Sequence, residues 1–367
     1  MDKLSLIMVS LTALVTVAVP LMAGRQSKLF YVLFFIMQLA LMGLFSVRNA
    51  LLFYVFWELS VIPVYFLSFN LKFFMTMLAG SLSMLAALIY LIVVHHTMDI
   101  TAMNSLVLAP WVYIALFVAF AVKMPLFPFH TWQAETYEKA PMPVTMVLAG
   151  LQSKMGAYGV FRFLLPLGGL WYGKAALGIA IFSALYGSIT ALSQTNGKRL
   201  LAYSSMAHVA MVAAGFLSLQ YVGIQGGVVQ IVSHTLTIIG LFFVMELIFR
   251  QRKTYDIDKL GGIRTQAPWL GAFFLAIVLG SVALPLTSGF VGEFLILQGL
   301  AERRLFLAAV AGLTIIIGAW YMLRFYQRVM LGETTQSFKD LSWTDASLLI
   351  VIVALIFFIG IFPGGLL

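Results

Sequence analysis

The chain alternates between long apolar runs and short polar connections from end to end. About twelve runs approach the ~20 residues that a helix needs to cross a hydrocarbon layer roughly 30 Å thick. Because no connection is long enough to fold separately, we expect an all-α polytopic membrane protein with one membrane domain over residues 1–367. The predicted spans are approximately 4–22, 29–46, 50–69, 73–94, 110–129, 143–165, 174–193, 199–219, 222–249, 268–298, 303–327 and 344–364.

Composition narrows the possible functions. Of the 367 residues 62% are hydrophobic and 10% charged, whereas soluble domains carry roughly 25% charged residues. The chain has no Cys, which excludes cysteine-ligated iron–sulfur clusters, thiol chemistry and disulfides. Any electron transfer is therefore assigned to partner proteins.

The net charge is +9, and the distribution of the basic residues along the chain indicates the topology. The odd-numbered connections and their flanks hold most basic residues: Arg25, Lys28, Lys72, Lys139, Lys198, Arg199, Arg250, Arg252, Lys253, Lys259, Arg264, Arg324, Arg328 and Lys339. The even ones hold only Arg48, Arg162, Lys174, Arg303 and Arg304. The positive-inside rule places the odd connections on the cytoplasmic or equivalent side, called the inner face below, and both termini outside.

Six ionisable residues fall in the interiors of predicted spans: Glu58, Lys123, Lys154, His208, His234 and Glu293. A charge at mid-bilayer costs about 2.5–3.5 kcal/mol even on the lenient insertion scale. A single buried histidine is more often a satisfied structural group than a functional one. Six such residues on six helices favour a shared function, and a chain of proton-relay sites accounts for all of them.

Lysine and glutamate suit proton relay because burial favours the neutral form of each, whereas a nearby opposite charge favours the charged form. Movement of the oppositely charged partner toward or away from such a group therefore makes that group take up or release a proton. Glu58 and Lys123 are the candidate pair, with Lys154 as the next site.

Proline interrupts two of the charged spans. Lys123 is followed by Pro125 and Pro128, and Glu293 is preceded by Pro285, so both helices should lose backbone hydrogen bonds beside their charge. The broken helix is the fourth of five in each of two blocks, 29–165 and 174–327. Five is odd, so this pattern is typical of an inverted-topology repeat, in which broken helices mark the transport path.

Seven stretches resemble the proton-pumping antiporter-like membrane subunits of respiratory complex I. They are FWELSVIPVYFL, KMPLFPFHTW, EKAPMPVTMVLAGLQSKMGAYGVFRF, KRLLAYSSMAHV, QIVSHTLTIIGLFF, DIDKLGGI and LPLTSGFVGEFLIL. KMGAYGVFRF and the glutamate of GEFLIL favour the branch called subunit M in bacteria and chain 4 in mitochondria. Three features depart from the family. Two expected spans before the first are absent, QAETYEKAP replaces an acidic residue and a histidine after HTW, and the connection around Asn70 to Phe73 is unusually tight.

The resemblance implies that Glu58 and Lys123 form a modulating pair and that Lys154 with His208 or His234 carries a central water-linked path. Glu293 would be the exit-side or connecting site. It also implies partner membrane and peripheral subunits that hold the flavin, the iron–sulfur clusters and the quinone, with no cofactor or metal in this chain. The lipid bilayer is the other expected partner, and nucleic acid is not expected. The bacterial plasma membrane is favoured over the mitochondrial inner membrane.

Three alternatives stay open. A multi-subunit cation/proton antiporter or a membrane-bound hydrogenase would share these charged helices. A cytochrome subunit could use His208 and His234 as haem ligands, although that leaves the lysines and glutamates unexplained. A structural membrane spacer would need none of the six.

Overall fold

The computed structural model describes residues 2–103, 109–165, 171–333 and 337–367. Its helices are α1 (Lys3–Ala23), α2 (Lys28–Ser46), α3 (Ala50–Ser68), α4 (Leu71–His95), α5 (Pro110–Lys123), α6 (Thr131–Lys139), α7 (142–164), α8 (Trp171–Leu192), α9 (Gly197–Leu217), α10 (Tyr221–Arg252), α11 (Pro268–Ser281), α12 (Ser288–Arg303), α13 (Leu305–Met330) and α14 (Trp343–Ile361). No strand occurs in the described ranges. The protein therefore has the all-α fold that the apolar runs predict.

Membrane-spanning character follows from helix length and composition. Nine of the helices in the described part of the chain are long and apolar enough to cross a bilayer, and α5 and α11 are shorter apolar helices. Each predicted span coincides with a helix, except that the fifth span is helical only over Pro110–Lys123 and the tenth meets two helices, Pro268–Ser281 and Ser288–Arg303. The all-α polytopic membrane fold and its two broken helices are thus confirmed.

Polar side chains that cap the N-termini of helices explain why the connections between helices can be short. Asp2, Ser27, Asn49 and Asn70 each accept a hydrogen bond from a backbone N–H in the first turn of the helix that follows. Such a cap satisfies a donor that has no partner within the helix. A helix can therefore begin within a few residues of the end of the previous one.

The helices form two compact units. Unit 1 comprises Met1–Phe182 with Phe216–Leu219, and unit 2 comprises Ser183–Gly215 with Gln220–Leu367. Within unit 1, α2 packs along α3 and α4 along α5. Within unit 2, α10 is almost wholly buried and packs most extensively against α12, whereas α13 and α14 expose most of their apolar surface. The two most buried of the long helices, α9 and α10, carry the predicted site residues His208 and His234.

Candidate functional site: buried charges beside two broken helices

The break in unit 1 leaves Lys123 at the end of a helix inside the protein. Pro125 cannot donate a backbone hydrogen bond, so α5 stops and Leu126 N–H donates to Ala121 O at 2.8 Å. The indole of Trp132 donates to Val122 O at 2.9 Å. These donors satisfy carbonyls that the break frees, so the interruption is stable at depth.

Lys123 is buried to 1% exposure and is held by neutral groups. Its Nζ donates to Gln152 Oε1 at 3.2 Å and stands 5.7 Å from the centre of the Trp57 ring. Gln152 in turn donates from Nε2 to Ser60 O at 2.9 Å. The amide therefore ties the lysine on α5 to α3 and α7.

Glu58 lies on α3 within electrostatic range of Lys123. The two do not form a direct ion pair among the described contacts, because Lys123 donates to Gln152 instead. Glu58 Oε1 is buried and has no hydrogen-bond partner in the described residues. The predicted pair therefore interacts electrostatically without a direct ion pair, and Glu58 keeps one unbonded carboxylate oxygen.

Lys154 is completely buried on α7. Its Nζ donates to Ala149 O at 2.5 Å, within a π-helical turn at Leu148–Gln152. A π turn spaces its carbonyls differently from an α turn and often marks a functional site. A Cβ at Gly156 would come within 2.5 Å of the Phe120 carbonyl oxygen, so only glycine lets α7 pack this closely beside the end of α5.

The break in unit 2 has a similar backbone pattern. Leu284 N–H donates to Leu279 O at 3.0 Å, and α12 restarts at Ser288. Ala283 (φ 57°) and Leu286 (φ 78°) adopt the left-handed backbone conformation, which residues other than glycine rarely adopt. Strain of this kind persists where surrounding structure fixes it, commonly at functional sites.

Glu293, His208 and Gln230 form one hydrogen-bonded cluster in unit 2. His208 Nδ1 lies 2.9 Å from Glu293 Oε1, and Gln230 Nε2 donates to the same oxygen at 3.1 Å. The ring of His234 lies 5.4 Å from that of His208, centre to centre. All three predicted residues of this unit therefore come together.

A narrow cavity adjoins this cluster, with room for about one water molecule. Its polar lining consists of Ser188, His208, Ser281, Glu293, Thr314 and Tyr321. The cavity gives the acid–imidazole pair a hydratable neighbour, which a proton relay requires.

Attention to ionisable residues alone missed three neutral members of the site: Gln152, Gln230 and Tyr321. Each is nearly or fully buried inside a span. Burying an amide or a phenol also costs free energy, although less than burying a charge. A search for every strongly polar side chain within the spans would have found them.

The described residues contain no group of three or more His, Asp or Glu side chains that could hold a metal ion. The imidazoles of His208 and His234 lie side by side at a tilt of 41°, and Glu293 engages His208 Nδ1. This contact leaves no gap for a haem between the two rings. The geometry therefore disfavours the bis-histidine cytochrome alternative.

Comparison with models of protein families assigns the chain to one family. The model of the NADH:quinone oxidoreductase/Mrp antiporter transmembrane family matches residues 47–318, which include all six buried ionisable residues. The chain belongs to this family.

Relatives and solved structures agree with the assignment. NADH-quinone oxidoreductase subunit M of Rickettsia prowazekii (strain Madrid E) is 35% identical over 366 residues, which cover 94% of this chain and 74% of the relative. A chain of respiratory complex I from Thermus thermophilus with bound NADH is 31% identical with a TM-score of 0.91, over 100% of this chain and 83% of that one. A chain of the Mrp complex from Dietzia sp. DQ12-45-1b has a TM-score of 0.92 at 18% identity, over 99% and 81%, and shares the fold.

Proposed function

We propose that this chain is a proton-translocating membrane-arm subunit of NADH:quinone oxidoreductase, corresponding to subunit M or chain 4. One observation carries the proposal: each unit holds buried ionisable side chains beside a broken helix, in contact with groups that can exchange partners. The relay residues are Glu58, Lys123, Lys154, His208, His234 and Glu293. Relatives with 31–35% identity carry complex I names, which favours this function over a cation/proton antiporter.

The chain acts as one subunit of that enzyme and carries no redox centre of its own. Flavin, iron–sulfur clusters and quinone belong to partner subunits in this proposal, since a chain without Cys offers no thiolate ligands for a cluster. Its work is to move protons across an energy-coupling membrane. The bacterial plasma membrane is our preferred location, because the basic residues are strongly biased to one face.

We further propose that the blocks 29–165 and 174–327 are inverted repeats. Support comes from the broken helices: α5 and α11 both run for 14 residues and both begin with a Pro-Trp pair. Both end with the same two hydrogen bonds, Met124 to Phe120 and Leu126 to Ala121 in one unit, and Val282 to Val278 and Leu284 to Leu279 in the other. Shared ancestry explains this match more simply than coincidence.

Substitution of Lys123 tests the proposed function. We expect Lys123→Ala to abolish proton pumping by the assembled, membrane-embedded enzyme, measured in vesicles together with quinone reduction. The matched control is Lys174→Ala, which changes an exposed lysine of the same unit. Full pumping by Lys123→Ala would refute the relay and support a structural spacer.

Copurification separates the proposed function from the antiporter alternative. The subunit should purify with a flavin-containing assembly that reduces quinone. Recovery in a flavin-free complex that exchanges sodium for protons would instead identify an antiporter subunit.

A further inference from the structure

A second cavity in unit 2 opens at the inner face. It lies among the inner ends of α8, α9 and α13, next to the polar side chains of Gln194, Arg324 and Arg328. Arg324 is exposed to solvent. This face is the one that the basic connections assign to the cytoplasmic or equivalent side.

Tyr321 lines both this cavity and the one beside Glu293. Its side chain is buried to 2% exposure, and its hydroxyl donates to Ser204 Oγ at 2.9 Å. The phenol is also within electrostatic range of Glu293. The Tyr321 side chain thus borders both the cavity beside the acid–imidazole cluster and the cavity at the inner face.

Hydroxyl groups continue the route from Tyr321 toward the His208–Glu293 pair. Ser204 and His208 are four residues apart on α9, so they lie on the same face of that helix. Ser188 Oγ, in the wall of the cavity beside Glu293, is buried and has no hydrogen-bond partner in the described residues. Such a hydroxyl is suited to bind a water molecule in the cavity.

We propose that protons reach the His208–Glu293 pair from the inner face through a narrow hydrated route gated by the hydroxyl of Tyr321. The inference rests on the proposed function, and it makes Glu293 accessible from the entry side, whereas the family resemblance suggested an exit-side or connecting role. Tyr321 Oη accepts a proton from a protonated water molecule on the Arg324 side as it releases its own proton to Ser204 Oγ. Ser204 passes a proton in the same way to water beside His208, so charge is conserved at each step.

The width of the route, rather than the charge at its mouth, favours protons over metal cations. Arg324 and Arg328 place positive charge at the inner opening, although Arg328 is partly neutralised by Asp258 at 2.7 Å. Fixed positive charge raises an electrostatic barrier to every cation, protons included, so it does not distinguish between them. A proton that hops between hydroxyls and water needs no space for a hydration shell.

The cysteine-free chain permits a direct accessibility test. In assembled complex in sealed vesicles of known orientation, Thr314→Cys and Ser188→Cys are exposed to silver ions from one side, and the thiols left unreacted are then counted by alkylation after denaturation. Gln194→Cys at the mouth is the positive control. Ala210→Cys, buried on α9, is the control away from both cavities.

We expect the two cavity cysteines to react from the inner side and not from the outer side, with Ala210→Cys protected from both. Reaction only from the outer side, or none while Gln194→Cys reacts, would overturn the route. This readout does not depend on pumping. If Lys123→Ala pumps normally while Thr314→Cys reacts from inside, the proposed function fails and the route stands.

Tyr321→Phe tests the hydroxyl itself. The ring remains, so folding and assembly should be preserved, and a merely structural Tyr321–Ser204 hydrogen bond would affect only stability. We expect slower pumping, with a changed pH dependence, and slower silver reaction at Thr314→Cys from the inner side. Unchanged pumping with an unchanged pH profile would remove Tyr321 from the route.

Discussion

The two units stabilise buried ionisable groups in different ways. In unit 1, Lys123 and Lys154 have neutral acceptors, the amide of Gln152 and the carbonyl of Ala149. In unit 2, Glu293 is bonded directly to an imidazole and an amide. Lys123 can therefore change protonation without breaking a direct ion pair, whereas any change at Glu293 reorganises a three-residue cluster.

The two broken helices carry their buried charges at different positions on a similar backbone pattern. Counting from the shared hydrogen bonds that end α5 and α11, Lys123 is in register with Ser281, and Glu135 with Glu293. Unit 1 thus keeps its buried charge before the break, and unit 2 keeps its buried charge after it. Glu135 lies at the surface, where it pairs with Lys72 and Lys139.

The largest expected effect is at Lys154. Lys154→Met should abolish pumping, yet leave the thermal stability of the assembled enzyme unchanged or higher, because replacing a buried ion by an apolar residue of similar size is often neutral or stabilising. Pumping assays and thermal unfolding midpoints check both parts. A clear loss of stability would show that the charge itself holds unit 1 together, and the contrast with unit 2 would fail.

Glu293→Leu should behave differently. It removes the carboxylate oxygen that contacts His208 and accepts from Gln230, and a buried donor left without its acceptor costs about 1–3 kcal/mol. We expect both pumping and the thermal midpoint to fall, and Glu293→Gln, which keeps an acceptor oxygen, to recover much of the stability but not the pumping. Equal stability of the Leu variant and the unmodified protein would contradict the role given to the cluster.

The sequence predicted the spans, both breaks and the charged residues, because apolar length, proline and the cost of a buried charge act locally. It did not predict the partners. Gln152 lies two residues from Lys154 but binds Lys123, a contact that depends on how α5 and α7 pack. Arg162 was counted only as an outer-face charge, yet the structure buries it and pairs it with Asp2 at 2.5 Å. Contacts across helices are set by tertiary packing, which residue patterns do not encode directly.

Replacement of Gln152 should have an intermediate effect on pumping. A hydrogen bond to a charged group contributes about 1.5–3 kcal/mol, so Gln152→Leu should slow pumping by about tenfold and move its pH optimum. Quinone reduction should be affected less, since no cofactor lies in this chain under the proposed function. Gln152→Glu keeps an acceptor for Lys123 and should restore part of the rate. A normal rate and pH optimum in the Leu variant would mean that the lysine finds another acceptor unaided.

The smallest effect is expected at Glu135, which shares the register of Glu293 but not its burial. The ammonium groups of Lys139 and Lys72 that donate to its carboxylate hold the pKa of Glu135 below its usual value of 4.5. A lowered pKa stabilises the fold above the ordinary value, and that contribution is lost as pH falls through the lowered one. Because the pair is partly exposed, Glu135→Gln should cost no more than about 1 kcal/mol near pH 7 and nothing in strong acid.

The neighbouring exposed Glu138→Gln is the matched control for thermal midpoints measured at both pH values. Neither change should affect pumping. Solvent screens the charge of a surface carboxylate from the buried relay residues, so the relay does not depend on it. If Glu135→Gln slowed pumping as strongly as Glu293→Gln, position relative to the break would matter more than burial. The two units would then share one mechanism, and their different partners would be secondary to the common backbone.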